Sequence, residues 1–190
     1  AFILYTGLMA LFGIVGLEMK HGVGRILAAF AVAFSAFGIA ATEEILFRGF
    51  FLQTLLNDLP RWPAILITGV IFVLFHDLTH VSSFWTVPRQ AMLAGGLFCL
   101  NILLCFAYLK SGTLFLPIGL HAGLVFVKVM FRKMQLMTTL QHDSYLFGID
   151  GDARRGILAW ILFLTGVFLL NYLVTEREHK GMARASLSRP

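Results

Sequence analysis

Glu43 and Glu44 stand side by side in Ala36–Phe51, a run otherwise apolar enough to lie in a membrane, and Arg48 follows four residues after the second acid. Charged groups in hydrocarbon cost at least ~2.5–3.5 kcal/mol each on insertion scales, so chains that keep them usually turn them toward an interior cavity. On a helix, Glu44 and Arg48 share a face with the acid N-terminal, the favourable order for an ion pair. Glu43 is rotated from Glu44 by about 100°. One carboxylate can therefore be held by the arginine while its neighbour points elsewhere, as a site with one structural and one titrating acid requires. The plainer alternative is a buried salt bridge that only fixes helix packing. It is weakened because residues of the catalytic type recur in later apolar segments.

The segment Ala64–His80 carries Phe72, His76 and His80 at i, i+4 and i+8, on one helical face, with His76 deeper in the apolar run. A later segment contains Pro117-Ile-Gly-Leu-His121-Ala-Gly123, where Gly119 and Gly123 form a small-x-x-x-small face that permits close helix approach and brings His121 inward. Glutamate with histidines suffices to activate water for attack on a carbonyl, an imidazole stabilising the oxyanion. The same residues can ligate zinc, since His76 and His80 imitate the ligand pair of a metalloprotease helix. That zinc motif is incomplete, because no Glu follows the first histidine in His-Asp-Leu-Thr-His.

These residues need helices to position them, and the composition supplies helices of one kind. The 190 residues are 58% hydrophobic and only 13% charged, against about 25% charged in soluble domains. An all-α, polytopic membrane bundle is expected, because the apolar runs are too long for barrel strands. Six segments are near the ~20 residues that a span requires: Phe2–Leu17, Ile26 to about Leu56, Ala64 to about His80, Ala91–Leu109, Pro117 to about Phe131, and Ile157–Val174. The second is too long for a simple span, so it is strongly tilted or broken near Gly38–Thr42. Turn chemistry with two prolines, Asn57–Pro63, ends it.

One domain, 1–190, is expected, with a motif-bearing core at about 39–125, a polar connection at 132–156 and a basic tail at 176–190. The net charge of +5 collects in connections and in that tail, as interfacial anchors and contacts to anionic lipid headgroups. It does not mark a nucleic-acid partner. Cys99 and Cys105 lie six apart in one apolar segment and form no disulfide framework. The start Ala-Phe-Ile-Leu, without an initiator Met, suggests a fragment or processed form with upstream spans missing.

The E-E-x-x-x-R pattern (Glu43, Glu44, Arg48, in Phe47-Arg48-Gly49 context), the F-x-x-x-H pattern (Phe72, His76) and His121 in Leu116-Pro-Ile-Gly-Leu-His-Ala-Gly123 follow one another in an order and spacing that resembles the CAAX protease and bacteriocin-processing (Abi) family. This family includes the type II CAAX prenyl endopeptidases. The resemblance covers about Ile39 to Val125. It implies a multi-pass intramembrane endopeptidase of the glutamic type, acting on a membrane-associated protein or peptide, with or without lipid modification. It also implies Glu43 as general base, His76 as the residue that orients water and His121 as oxyanion stabiliser, with Glu44, Arg48 and Phe72 supporting. No cofactor is expected; zinc on His76, His121 and Glu43 is the alternative. A non-catalytic membrane protein, serving bacteriocin immunity or scaffolding partners, is the other reading. One position departs from the family pattern: Val125 stands four residues after His121, where an asparagine is common. Valine cannot donate a hydrogen bond, so one oxyanion donor is missing or replaced.

Overall fold

A computed structural model describes residues 15–17, 23–76, 87–134, 137–139, 144–149 and 152–173. The described chain is overwhelmingly helical. Its exception is a short antiparallel pair, β1 (Val15–Leu17) with β2 (Met137–Thr139), in which Gly16 faces Thr138. The expected first span, Phe2–Leu17, lies outside the described residues except for this strand.

Helix α1 (Val23–Glu44) is alanine-rich, and alanine has the highest helix propensity. The expected break near Gly38–Thr42 is absent. Ser35 Oγ donates to the Ala31 carbonyl and Thr42 Oγ1 to the Gly38 carbonyl, both at 2.9 Å, so these hydroxyls are satisfied within the helix. The winding changes later, immediately after the two acids: Ile45–Leu52 forms a π-helical segment and α2 (Gln53–Asp58) completes one continuous rod. Its apolar part, Leu27–Asp58, is 32 residues, about 48 Å as a straight α-helix, which exceeds a ~30 Å hydrocarbon core.

Leu59 is extended before Pro60, and α3 (Arg61–His76) then begins with Pro63 in its first turn, where no intrahelical donor is needed. Helix α4 (Pro88–Ser111) opens on Pro88 and closes on Gly112, whose φ of 67° suits the left-handed C-cap that glycine adopts without penalty. Helices α5 (Phe115–Met134) and α6 (Ile157–Leu173) complete the bundle. Leu27–Asp58 and α4 are each long and apolar enough to cross a membrane, whereas Arg61–His76, Phe115–Val129 and Ile157–Leu173 are shorter apolar helices. Against the expected six spans, two described helices thus qualify by length and composition.

Helix α4 is the hub. It packs against α3 and α6, while α1 lies along α5. Leu100, Leu103 and Leu104 pack with Ala159 and Phe163 of α6, and Leu93 and Leu97 pack with Phe47, Phe72 and Val73 beneath the two acids. Phe30, Phe34 and Phe37 on α1 and Phe168 and Tyr172 on α6 point outward. So much exposed apolar surface suits a lipid environment rather than water.

The polar connection is tied to this bundle. Asp152 accepts from Arg154 Nε and Nη2 at 3.0 and 2.6 Å, and Lys128 Nζ of α5 lies 3.8 Å away. Burial pushes the Asp152 carboxyl up, but these cations outweigh it and lower it from the usual 3.8 to about 2. The stability from this tie is thus complete above the ordinary carboxylate range and is lost as pH falls through about 2.

Gly95 and Gly96 let α4 meet this connection closely. A Cβ on Gly96 would fall on the Arg154 carbonyl oxygen, and one on Gly95 would fall on the Trp160 ring, while Trp160 Nε1 donates to that same Arg154 oxygen at 3.0 Å. Backbone cannot swing aside as a side-chain tip can. Gly96→Ala is therefore expected to destabilise the protein by about 1–3 kcal/mol, the usual range for overpacking, read as a lower melting temperature in detergent. An unchanged melting temperature would mean that the connection is not seated on α4.

Candidate active site

The two acids end α1, and the π-helical segment that follows carries Arg48 into the interior. π-Helical turns are rare and frequent at functional sites. Phe47, Arg48 and Leu52 are buried there, and Glu44 and Arg48 have no exposed surface. Arg48 Nη1 donates to Glu44 Oε1 at 3.0 Å. Nη2 of the same guanidinium donates to Asn101 of α4, at 2.9 Å to Oδ1 and 3.2 Å to the backbone oxygen. The Phe72 ring lies 5.0 Å from the guanidinium carbon, close enough for a cation–π contact. A charge this deeply buried is tolerable only when paired and hydrogen-bonded, as it is here.

Glu43 projects to the other side. Its Oε2 lies 3.4 Å from His76 Nε2 and 3.7 Å from His121 Nε2, in ion-pair range of both yet hydrogen-bonded to neither. The side chains of Glu43 and His76 are 27% and 22% exposed, so this edge of the cluster is open. His121 is almost fully buried, and its Nδ1 lies 2.8 Å from Glu44 Oε1. Two helices thus each bring an imidazole to a single carboxylate oxygen carried by a third.

The outer ring nitrogens set the roles of the inner ones. His76 Nδ1 lies 2.9 Å from the Phe72 carbonyl oxygen, which only accepts, so Nδ1 carries the proton. Glu44 Oε1, which already accepts from Arg48, likewise accepts from His121 Nδ1. In the neutral rings, both Nε2 atoms therefore present lone pairs toward Glu43. Either becomes a donor only when its ring gains a second proton.

The structure brings Glu43, His76 and His121 together and pairs Glu44 with Arg48. Phe72 is fully buried beneath them, its ring centroid 4.2 Å from that of His76. Val125 is half-buried one turn beyond His121 on α5. His80 lies outside the described residues. The expected glycine face is different from what was anticipated: Gly119 and Gly123 are exposed, and a Cβ at either would meet nothing within 4 Å. His121 is held inward by Glu44 and not by close packing at those glycines. Sequence reasoning missed Asn101, the one amide in the apolar run Ala91–Leu109 and fully buried. That isolation was the available signal.

No curated protein and no solved structure matches the chain. Residues 25–127 match the family model of the type II CAAX prenyl endopeptidases, Rce1-like. The matched stretch is more than half of the chain, and it runs from early α1 into α5, so it takes in Glu43, Glu44, Arg48, His76 and His121 together with the helices that hold them. The chain therefore belongs to the type II CAAX prenyl endopeptidase Rce1-like family, a family of membrane proteases.

Proposed function

We propose that this protein is a multi-pass intramembrane endopeptidase in which a glutamate activates water without a metal. Glu43 is the general base, and His76 Nε2 is a second acceptor that orients the water. Attack forms the bond between the water oxygen and the scissile carbonyl carbon while the water proton passes to Glu43. His121, once it carries a second proton, donates from Nε2 to the oxyanion, and Glu44 stabilises that imidazolium through Nδ1. Glu43 then returns its proton to the leaving amine as the carbon–nitrogen bond breaks. The products are an amine and a carboxylic acid, which ionises by giving its proton to the surrounding water. The observation that carries this reading is the approach of two imidazole Nε2 atoms, from separate helices, to within 3.4 and 3.7 Å of one partly exposed carboxylate oxygen.

His76 Nε2, His121 Nε2 and Glu43 Oε2 are also donor types that zinc accepts. The test is therefore hydrolysis of an internally quenched peptide ending in a prenylated CAAX box, and of its unmodified counterpart, by the purified protein in detergent before and after zinc stripping. Cleavage that persists after stripping is expected. Cleavage lost on stripping and restored by added zinc would transfer the site to a zinc peptidase. Failure of the folded protein to cleave either peptide would favour the non-catalytic reading.

Val125 provides a second check. An asparagine at this position would add a donor one turn from His121, so Val125→Asn is expected to raise turnover of a peptide the parent already cleaves. The gain can be no larger than one oxyanion donor contributes, ~10²–10³-fold, and less if the surroundings are adapted to valine. A neutral or harmful result would remove position 125 from the site and leave the glutamate–histidine chemistry in place.

A further inference from the structure

We propose that Asn101 is a positioning residue for His121, acting through Arg48 and Glu44; this rests on the reading of His121 as the group that meets the substrate oxyanion. Asn101 lies on α4, where Cys105, one turn further along, also donates to its Oδ1 from Sγ at 3.6 Å. The asparagine is fully buried, and both ends of its amide are committed. Oδ1 accepts from Arg48 Nη2 at 2.9 Å, and Nδ2 donates to the Ile65 carbonyl of α3 at 3.2 Å. A flipped amide would set its NH₂ against the guanidinium donors and its oxygen against a carbonyl, so only one orientation satisfies all four groups.

The neighbouring glycine makes room for this arrangement. A Cβ at Gly69 of α3 would lie 3.0 Å from Asn101 Nδ2 and 2.6 Å from the Phe98 ring. From Asn101 the connection runs through short links: Arg48 Nη1 to Glu44 Oε1 at 3.0 Å, then Glu44 Oε1 to His121 Nδ1 at 2.8 Å. Arginine has a long, rotamer-rich side chain, and its planar head fits only if something fixes its far edge. Asn101 fixes that edge. The Arg48 head can then hold Glu44 where its carboxylate orients the His121 ring toward Glu43. Such supporting partners carry about 10–100-fold of activity in metal sites, and a comparable share is expected for this one.

The experiment uses protein labelled with ¹⁵N-histidine in detergent micelles, the His121 ring signals being assigned by their loss in His121→Gln. Asn101→Leu keeps the approximate volume and removes the acceptor for Arg48. It is expected to shift the His121 ring nitrogens and to lower kcat on the prenylated CAAX peptide about 10–100-fold with little change in KM. Asn101→Ser, whose oxygen falls short of the guanidinium, carries the same expectation and serves where the leucine variant does not fold. Thr68→Val is the control. Thr68 is equally buried in α3, but its hydroxyl donates only to the Ala64 carbonyl at 2.8 Å, so both the signals and turnover should remain parental. Parental His121 signals in a folded Asn101→Leu or Asn101→Ser protein overturn the proposal, as does parental kcat. An active Glu43→Gln protein would instead overturn the catalytic reading, and the histidine signals would still report on Asn101.

Discussion

Replacing Arg48 with methionine is expected to cost the folded protein about 3–5 kcal/mol, the usual penalty for removing one partner of a buried ion pair. Methionine approximates the length and apolar character of the arginine stem, so the loss is mainly that of the guanidinium. Three groups are then deprived of it. Glu44 has no exposed surface, its Oε1 keeps only His121 Nδ1, and its Oε2 already lacks a hydrogen bond among the described residues. Asn101 loses the Arg48 contacts to Oδ1 and to its backbone oxygen, Oδ1 keeping only the weak Cys105 Sγ donor at 3.6 Å. The Phe72 ring loses the cation above it. Thermal unfolding in detergent should show a melting temperature lowered by several degrees, and activity should fall with it because Glu44 no longer holds its position. If Arg48→Met unfolded at the parental temperature yet was inactive, Arg48 would belong to substrate binding and not to the frame of the site.

The parts legible in the sequence were those in which a polar residue interrupts an apolar run. Glu43, Glu44, Arg48, His76 and His121 stood out because hydrocarbon makes each costly, and the i, i+4 spacing was sufficient to pair Glu44 with Arg48. Helix ends were also legible where proline and glycine mark them, as at Pro88 and Gly112. What the chain brings together across long separations was not. Nothing near His121 shows that its two ring nitrogens reach both carboxylates, because α1 and α5 meet only in the folded bundle.

The π-helical turn after Glu44 has no local residue signature, whereas the length of the Ile26–Leu56 run points to tilt or to a break at Gly38–Thr42. That region is continuous helix, and Thr42 Oγ1 satisfies itself on the Gly38 carbonyl within it. The Gly119/Gly123 spacing showed that a neighbour can approach, but spacing cannot show that one does. Close packing takes place instead at Gly69, Gly95 and Gly96.

The central claim is that Glu43 takes the proton of the attacking water, and the turnover of Glu43→Gln tests it most directly. The amide has nearly the same shape as the carboxylate but cannot accept a proton at neutral pH. Its NH₂ can donate to the lone pairs on His76 Nε2 and His121 Nε2, and Glu43 is partly exposed with no hydrogen bond at Oε2, so the fold should be retained. General-base catalysis contributes typically 10²–10⁴-fold. The measurement is kcat on the prenylated CAAX peptide for parent and variant, each shown to share the parental melting temperature. The predicted result is a folded Glu43→Gln protein with kcat at least ~10²-fold lower; a folded variant that cleaves the peptide at the parental rate would contradict the account.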